Sequence, residues 1–163
     1  MSTHTAYLSL GSNLGDRAAN IERALALLAT SGVRTIRRSS LYKTEPVEFT
    51  AQGWFLNLAI EAETGLMPRQ LLHAILNVEQ EMGRRRIVRA GPRTLDIDIL
   101  LYGTSIIRTA ELEIPHPRIA ERRFVLIPMA ELAPDLRHPV LKLTMVELLA
   151  STEDRSQVVR WQG

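Results

Sequence analysis

The 163-residue chain has no cysteine, only 5% aromatic residues, and no apolar run near the roughly 18 residues that a membrane span requires. The missing cysteine excludes disulfides, thiolate metal ligands and cysteine nucleophiles together, so any bound metal must use oxygen or imidazole. The short apolar runs exclude a transmembrane helix. The first residues lack the basic start, apolar stretch and small-residue cleavage site of a signal peptide, which predicts a cytoplasmic location. A large excess of one charge is also missing, since the formal net charge is only +2, too small to imply nucleic acid. With 45% hydrophobic and 23% charged residues, the composition is that of one compact domain over 1–163, and a monomer is expected.

What is present begins with a clear succession of periodic segments. Thr5 to Leu10 reads as a strand, closed by a turn at Gly11-Ser12-Asn13 and Gly15. Asp16 suits a helix N-cap, and Ile21, Leu25 and Leu28 recur at helical spacing until Ser31-Gly32. Val33 to Tyr42 and Phe55 to Glu63 read as two more strands, the second with Leu56, Leu58 and Ile60 on one face. Pro68 opens a second helix whose Leu71, Ile75, Val78 and Met82 line one side, and Gly83 ends it. Thr94 to Tyr102 is the strongest strand, with Leu95, Ile97, Ile99 and Leu101 assigned to one face and Thr94, Asp96 and Asp98 to the other.

The order β-α-β-β-α-β predicts an α+β fold of ferredoxin-like type, an antiparallel sheet with both helices on one side. Beyond it, Ile114-Pro115-His116-Pro117 is expected to be an extended, ordered loop. Ile119 to Leu132 predicts one or two short helices interrupted at Pro128, Leu143 to Ala150 another helix, and Gln157 to Trp161 an edge strand. These make a C-terminal helical and edge-strand elaboration.

The chemistry centres on Asp96 and Asp98. Their spacing of two puts both carboxylates on one face of a strand, with Cβ atoms about 6 to 7 Å apart. A polar, solvated sheet face explains a D-x-D by itself; so does a shared metal site. Just upstream, Arg84, Arg85, Arg86, Arg89 and Arg93 fall within ten positions. They read as a solvated loop or as a cluster facing an anion, but five guanidiniums exceed two carboxylates and leave positive charge for a polyanion. Magnesium takes one or two carboxylates together with substrate phosphates, so a magnesium-bound triphosphate accounts for both groups at once.

Other candidates are weaker singly. Glu79, one turn before the arginines, is placed to meet a nucleotide or to pair with an arginine. His116, between two prolines, suits a phosphate donor or a local backbone contact. Phe55 and Asn57 share a strand face, an aromatic ring beside an amide that suits a flat heterocycle, while Phe124 offers a second ring next to Arg122 and Arg123. Gly11 to Gly15 lacks the lysine and spacing of a Walker A loop and reads as a strand-to-helix turn.

Taken together, six blocks resemble the hydroxymethyldihydropterin pyrophosphokinases of folate biosynthesis. They are Gly11-Ser12-Asn13-Leu14-Gly15, Ser40-Leu41-Tyr42-Lys43-Thr44, Phe55-Leu56-Asn57, Gly83-Arg84-Arg85-Arg86, Gly91-Pro92-Arg93-Thr94-Leu95-Asp96-Ile97-Asp98-Ile99 and Ile114-Pro115-His116-Pro117. The resemblance implies transfer of the two terminal phosphoryl groups of ATP, as one unit, to the hydroxymethyl oxygen of 6-hydroxymethyl-7,8-dihydropterin, releasing AMP. It implies that Asp96 and Asp98 bind two magnesium ions and that Arg84 and Arg93 assist transfer. Glu79, Arg86, His116 and Arg122 correspond to nucleotide contacts, and Thr44, Pro46, Val47, Phe55, Asn57 and Phe124 to the pterin pocket. Segments 44–53 and 84–92 correspond to closing lids, the second expected to order on magnesium and ATP.

The chain departs from the pattern at Ala90, where many members carry tryptophan. It also departs at Glu111 and Glu113, where some carry arginine and threonine, and at Glu45, where a proline is common. Against a catalytic reading stand an RNA-binding module on the same fold and a pterin- or nucleotide-binding relative that no longer turns over. The former lacks an aromatic-rich RNA-binding strand and would offer aspartates to phosphate.

Overall fold

In the computed structural model, residues 2–46, 53–83 and 94–163 are described. The first strand, β1 (His4–Ser12), runs two residues further than its apolar stretch suggests, because Ala6, Leu8, Leu10 and Ser12 keep alternating inward. Gly11 and Ser12 are therefore strand residues, not turn residues. Helix α1 (Arg17–Thr30) starts where Asp16 Oδ1 accepts the Ala19 amide at 3.1 Å, buries Ile21, Ala24 and Leu28, and stops before Gly32 at φ +90°.

The single strand expected over 33–42 is instead two, β2 (Val33–Arg38) and β3 (Tyr42–Thr44). Between them Ser39 N–H still donates to Ala59 O at 2.9 Å, but its Oγ accepts the Ala59 amide at 3.0 Å, a side chain taking the place of the return bond of the ladder. Both pair with the long β4 (Phe55–Thr64). Helix α2 (Pro68–Glu81) follows with Leu71, Ile75 and Val78 buried, as their spacing predicts.

Strand β5 (Asp96–Tyr102) pairs with β1 and forms a sheet edge. Leu8 faces Ile99 and Tyr7 faces Leu101, so Leu100 is an extra residue on β5 and the alternation reverses. This corrects the expected face of Leu101: it packs in a second core with Leu100, while Ile97, Ile99 and Tyr102 stay in the first.

A small hairpin, β6 (Ile107–Arg108) with β7 (Glu113–Ile114), leads into a cis Ile114-Pro115 bond and a 3-10 turn at Ile119–Glu121. Helix α3 (Arg123–Leu132) then continues through Pro128. The expected interruption there does not occur, because Val125, Leu126, Met129 and Leu132 pack into the second core and outweigh one lost helical hydrogen bond. Helix α4 (Met145–Ser151) has Thr144 and Glu147 exchanging cap bonds at 3.2 and 2.9 Å, and β8 (Val158–Arg160) adds to β3 as the expected edge strand.

The sheet order is β5-β1-β4-β3-β8, with β2 beside the far half of β4. It is the ferredoxin-like antiparallel sheet, with α1 and α2 over one face. Among the described residues, α3 and α4 pack on the opposite face around Ala59, Leu100 and Leu101. Among the described residues no helix is long and apolar enough to cross a membrane.

Candidate active site

The half of that second face that lies beyond α3 and α4 is written in the sheet register. Asp96 pairs with Gly11, Gly11 with Asn57, and Asn57 with Tyr42, so one row crosses four strands. The next row toward α3 and α4 is Asp98, Ser9 and Ala59. Directly opposed residues share a face, so Asp96, Asp98, Gly11, Asn57 and, two residues along β4, Phe55 all lie on this side.

Gly11 is the hinge of this arrangement in a steric sense. A Cβ there would lie 2.2 Å from Asn57 Oδ1 and 3.5 Å from the Phe55 ring, so only glycine lets the amide lie across the floor. Asn57, 4% exposed, donates through Nδ2 to the hydroxyl of Thr44, itself 1% exposed. The amide's orientation is thereby fixed, with its oxygen toward Gly11 and the β5 side. Pro46 is buried just beyond Thr44, and Phe55 is half-buried. Phe124 packs against the second core, on the same side of the sheet, with the Arg122 guanidinium 5.5 Å from its ring centre.

Asp96 and Asp98 are both partly exposed, and the Asp98 side chain keeps 31% of its surface. The backbone between them is held from the other side: Glu79, 4% exposed, accepts the Ile97 amide at 2.8 Å. Ile97 N–H points off the sheet edge, where a strand would otherwise present an unpaired donor. Glu79 is buried with Ile75 and Val78, whereas Leu76 is 44% exposed.

His116 is held by its own backbone, its amide donating to Leu100 O at 2.9 Å, and its Nδ1 accepts the Arg118 amide at 3.1 Å. Its proton-bearing Nε2 then faces Asp98 Oδ1 at 3.8 Å. Burial, helped by the Arg122 and Arg118 charges and opposed by Asp96, depresses its pKa to about 4, so the ring is neutral at pH 7.

Along the β5 edge lies a cleft of about 260 Å³, floored by Leu72, Ile75, Ile97 and Ile99 and rimmed by Asp98, His116, Glu111 and Glu113. Glu111 is paired with Arg69 at 2.9 Å, an exposed contact. The register of Gly11 against Asn57 and the lining by Leu72 and Ile75 escape a reading of the sequence. A hint for Gly11 exists in the continued alternation to Ser12.

Arg84, Arg86, Arg93 and Val47, together with Arg85, Arg89 and Ala90, lie outside the described residues, as do most of the two lid segments.

The donor chemistry fits magnesium. Two carboxylates share one strand face, and among the described residues no group of three or more acidic, histidine or cysteine side chains forms a complete metal cage. Magnesium keeps several waters and completes its shell with substrate phosphates, so a two-carboxylate site is the kind it uses with a nucleotide.

An antiparallel sheet with a carboxylate pair at one end of a polar row and a buried amide beside an aromatic ring at the other has the makings of a phosphoryl-transfer site for a flat heterocyclic acceptor. The family model for 7,8-dihydro-6-hydroxymethylpterin-pyrophosphokinase matches residues 7–134. The 2-amino-4-hydroxy-6-hydroxymethyldihydropteridine pyrophosphokinase of Bacillus subtilis is 48% identical over 128 residues, 78% of this chain and 77% of the relative. The protein of that name from Methylorubrum extorquens is 48% identical over 132 residues, 80% of this chain and 84% of the relative. The fol1 protein of Pneumocystis carinii is 40% identical over 148 residues, but the chain spans only 20% of its length. Wild-type HPPK-DHPS of Plasmodium falciparum has the same fold, with a TM-score of 0.73 at 18% identity over 91% of this chain and 43% of that one. The chain belongs to the hydroxymethyldihydropterin pyrophosphokinase family and is an ATP-dependent pyrophosphokinase.

Proposed function

We propose that Asp96 and Asp98 hold two magnesium ions with the ATP phosphates, while Thr44, Pro46, Val47, Phe55, Asn57 and Phe124 hold the pterin. The pyrophosphoryl group passes between these two ends of the polar row. The observation that carries this reading is the row Asp96–Gly11–Asn57. It separates the metal carboxylate from the pocket amide by two interstrand steps, about 10 Å, the scale of a bicyclic ring with its hydroxymethyl arm pointed at a phosphate.

Each residue then has a task. Asn57, its amide locked by Thr44 and by the bare Gly11, offers a fixed hydrogen-bonding edge to the heterocycle, and Phe55 and Phe124 supply the stacking surfaces. Glu79 contributes by holding the β5 backbone, so that Asp96 and Asp98 stay aimed at one place; an acceptor role toward the nucleotide is compatible with this position. The apolar floor of the β5-edge cleft suits a nucleotide base. Neutral His116, with a proton on Nε2, donates to phosphate, and Arg122 adds charge beside it. Arg84, Arg86 and Arg93 neutralise the remaining phosphate charge, Arg84 and Arg93 during transfer.

When bound, the magnesium ions neutralise phosphate charge that builds toward the leaving AMP. The bond that forms joins the pterin hydroxymethyl oxygen to the β-phosphorus; the bond that breaks joins that phosphorus to the oxygen departing with AMP. We read residues 1–163 as one domain acting as a cytoplasmic monomer; the two cores packed on opposite faces of one sheet support the single domain.

The test is an incubation with magnesium, ATP and 6-hydroxymethyl-7,8-dihydropterin, following AMP and the pterin diphosphate. AMP is expected from the native chain and is expected to be lost with Asp96→Ala or Asp98→Ala. Undiminished AMP from either variant would contradict the metal assignment, and no AMP from the native chain would favour the non-catalytic reading.

A further inference from the structure

The C-terminal segment from Asp154 to Gln157 bonds both to the start of α3 and to the end of β3, although it lies beyond residue 134, where the family match ends. On one side, α3 begins at Arg123 with no capping side chain from its own N-cap residue, Arg122. Asp154 supplies that cap from 31 residues away: its Oδ2 accepts the Arg123 amide at 2.8 Å. The same carboxylate is itself fixed, accepting the Ser156 amide at 2.9 Å and the Ser156 hydroxyl at 3.0 Å. Burial pushes the Asp154 carboxyl up, but these donors outweigh it and leave the pKa below the usual carboxylate range.

On the other side, the β3–β8 ladder pairs Tyr42 with Arg160 and Thr44 with Val158. It continues one step further, where Glu45 N–H donates to Gln157 O at 3.1 Å and Gln157 N–H donates to Glu45 Oε1 at 2.6 Å. A proline at position 45 makes neither bond, having no N–H and no carboxylate. The end of β3, with Thr44 and Pro46, is therefore pinned to the same short segment that pins the start of α3, with Arg122 and Phe124.

We propose that Asp154, Glu45 and Gln157 are positioning residues, a C-terminal strap that sets the separation of the two pocket walls and so tunes pterin binding. The proposal rests on the pocket reading given above. Neither carboxylate touches substrate; each acts through the wall it holds.

Steady-state kinetics with each substrate varied, alongside thermal melts, test it. Glu45→Ala is expected to raise the pterin KM about tenfold while the ATP KM and kcat stay within about twofold, and Glu45→Gln, which keeps an acceptor, to restore it. Asp154→Ala is expected to raise both KM values, because Arg122 and Phe124 leave α3's first turn together, with most of the loss recovered in Asp154→Asn. Gln157→Pro removes the donor to Glu45 while keeping the carbonyl, and should reproduce the Glu45→Ala pattern if either alanine variant folds poorly. Lowered melting temperatures with unchanged KM values would overturn the strap. Asn57→Ala separates the two claims: if it raises the pterin KM while the strap variants do not, the strap alone fails; if it leaves the pterin KM unchanged, the pocket reading fails and the strap with it.

Discussion

The second face of the sheet is divided at Ala59. On one side, Ala59, Leu100 and Leu101 are sealed under Val125, Leu126 and Met129 of α3, all at most 2% exposed. On the other, the same strands present Asp96, Asp98, Gly11 and Asn57, and α3 does not cover the two aspartates. The halves share a backbone and a register and differ in side chains and cover. One continuous sheet supplies both the rigidity and the site: the apolar half anchors the strands whose other half carries the polar groups, where the buried Asn57 amide is satisfied by Thr44 and the two aspartates stay partly exposed.

That division predicts opposite phenotypes. The largest effect belongs to the polar half: Asp98→Ala is expected to lower kcat by about 10³-fold or more, with a melting temperature near the native value because the residue is partly exposed. Leu126→Ala should do the reverse, losing about 2–5 kcal/mol of stability in denaturant melts while the folded fraction keeps its KM values. A Leu126→Ala enzyme that is stable but slow would break the comparison.

Gly11→Ala sits at the join between metal and pocket. Its new methyl group meets the Asn57 amide oxygen, so about 1–3 kcal/mol of stability and much of the pterin affinity should be lost together, read by melts and by the pterin KM. Glu79→Ala strands the Ile97 amide and should cost about 1–3 kcal/mol with a lowered kcat, whereas Glu79→Gln, which retains an oxygen acceptor, should lose less of both.

The smallest effect concerns pH. The folded pKa of His116 is depressed to about 4 from an ordinary value of 6.5, so the unfolded chain takes up its proton first. Its contribution to stability is full above about pH 6.5 and is lost as pH falls through 4. An NMR titration of the ring in the unliganded protein should show a midpoint near 4; a midpoint near 6.5 would mean the ring is not held as described.

Much of this was legible in the sequence where a period was unbroken. Pro68 to Gly83, Asp16 to Gly32 and the alternating Phe55 strand announce their own limits, and the Asp96–Asp98 spacing fixes a shared face whatever lies around it. Reading failed where a distant residue intervened. Ser39 breaks a strand because Ala59 is its neighbour, Leu101 changes face because β1 skips Leu100, and Pro128 stays helical because the second core holds it. The same holds in the site. Asn57 and Asp96 are visible singly, but the row through Gly11 that relates them exists only once three strands are in register.

Everything at the phosphate end depends on Asp96 and Asp98 being the protein's ligands for the ions that accompany ATP. Counting bound Mn²⁺ by electron paramagnetic resonance, with a non-hydrolysable ATP analogue and the pterin present, tests it most directly. Two ions per native chain are expected, and fewer, or far weaker, in Asp96→Asn and Asp98→Asn variants that remain folded. Equal numbers and affinities in both variants would contradict it.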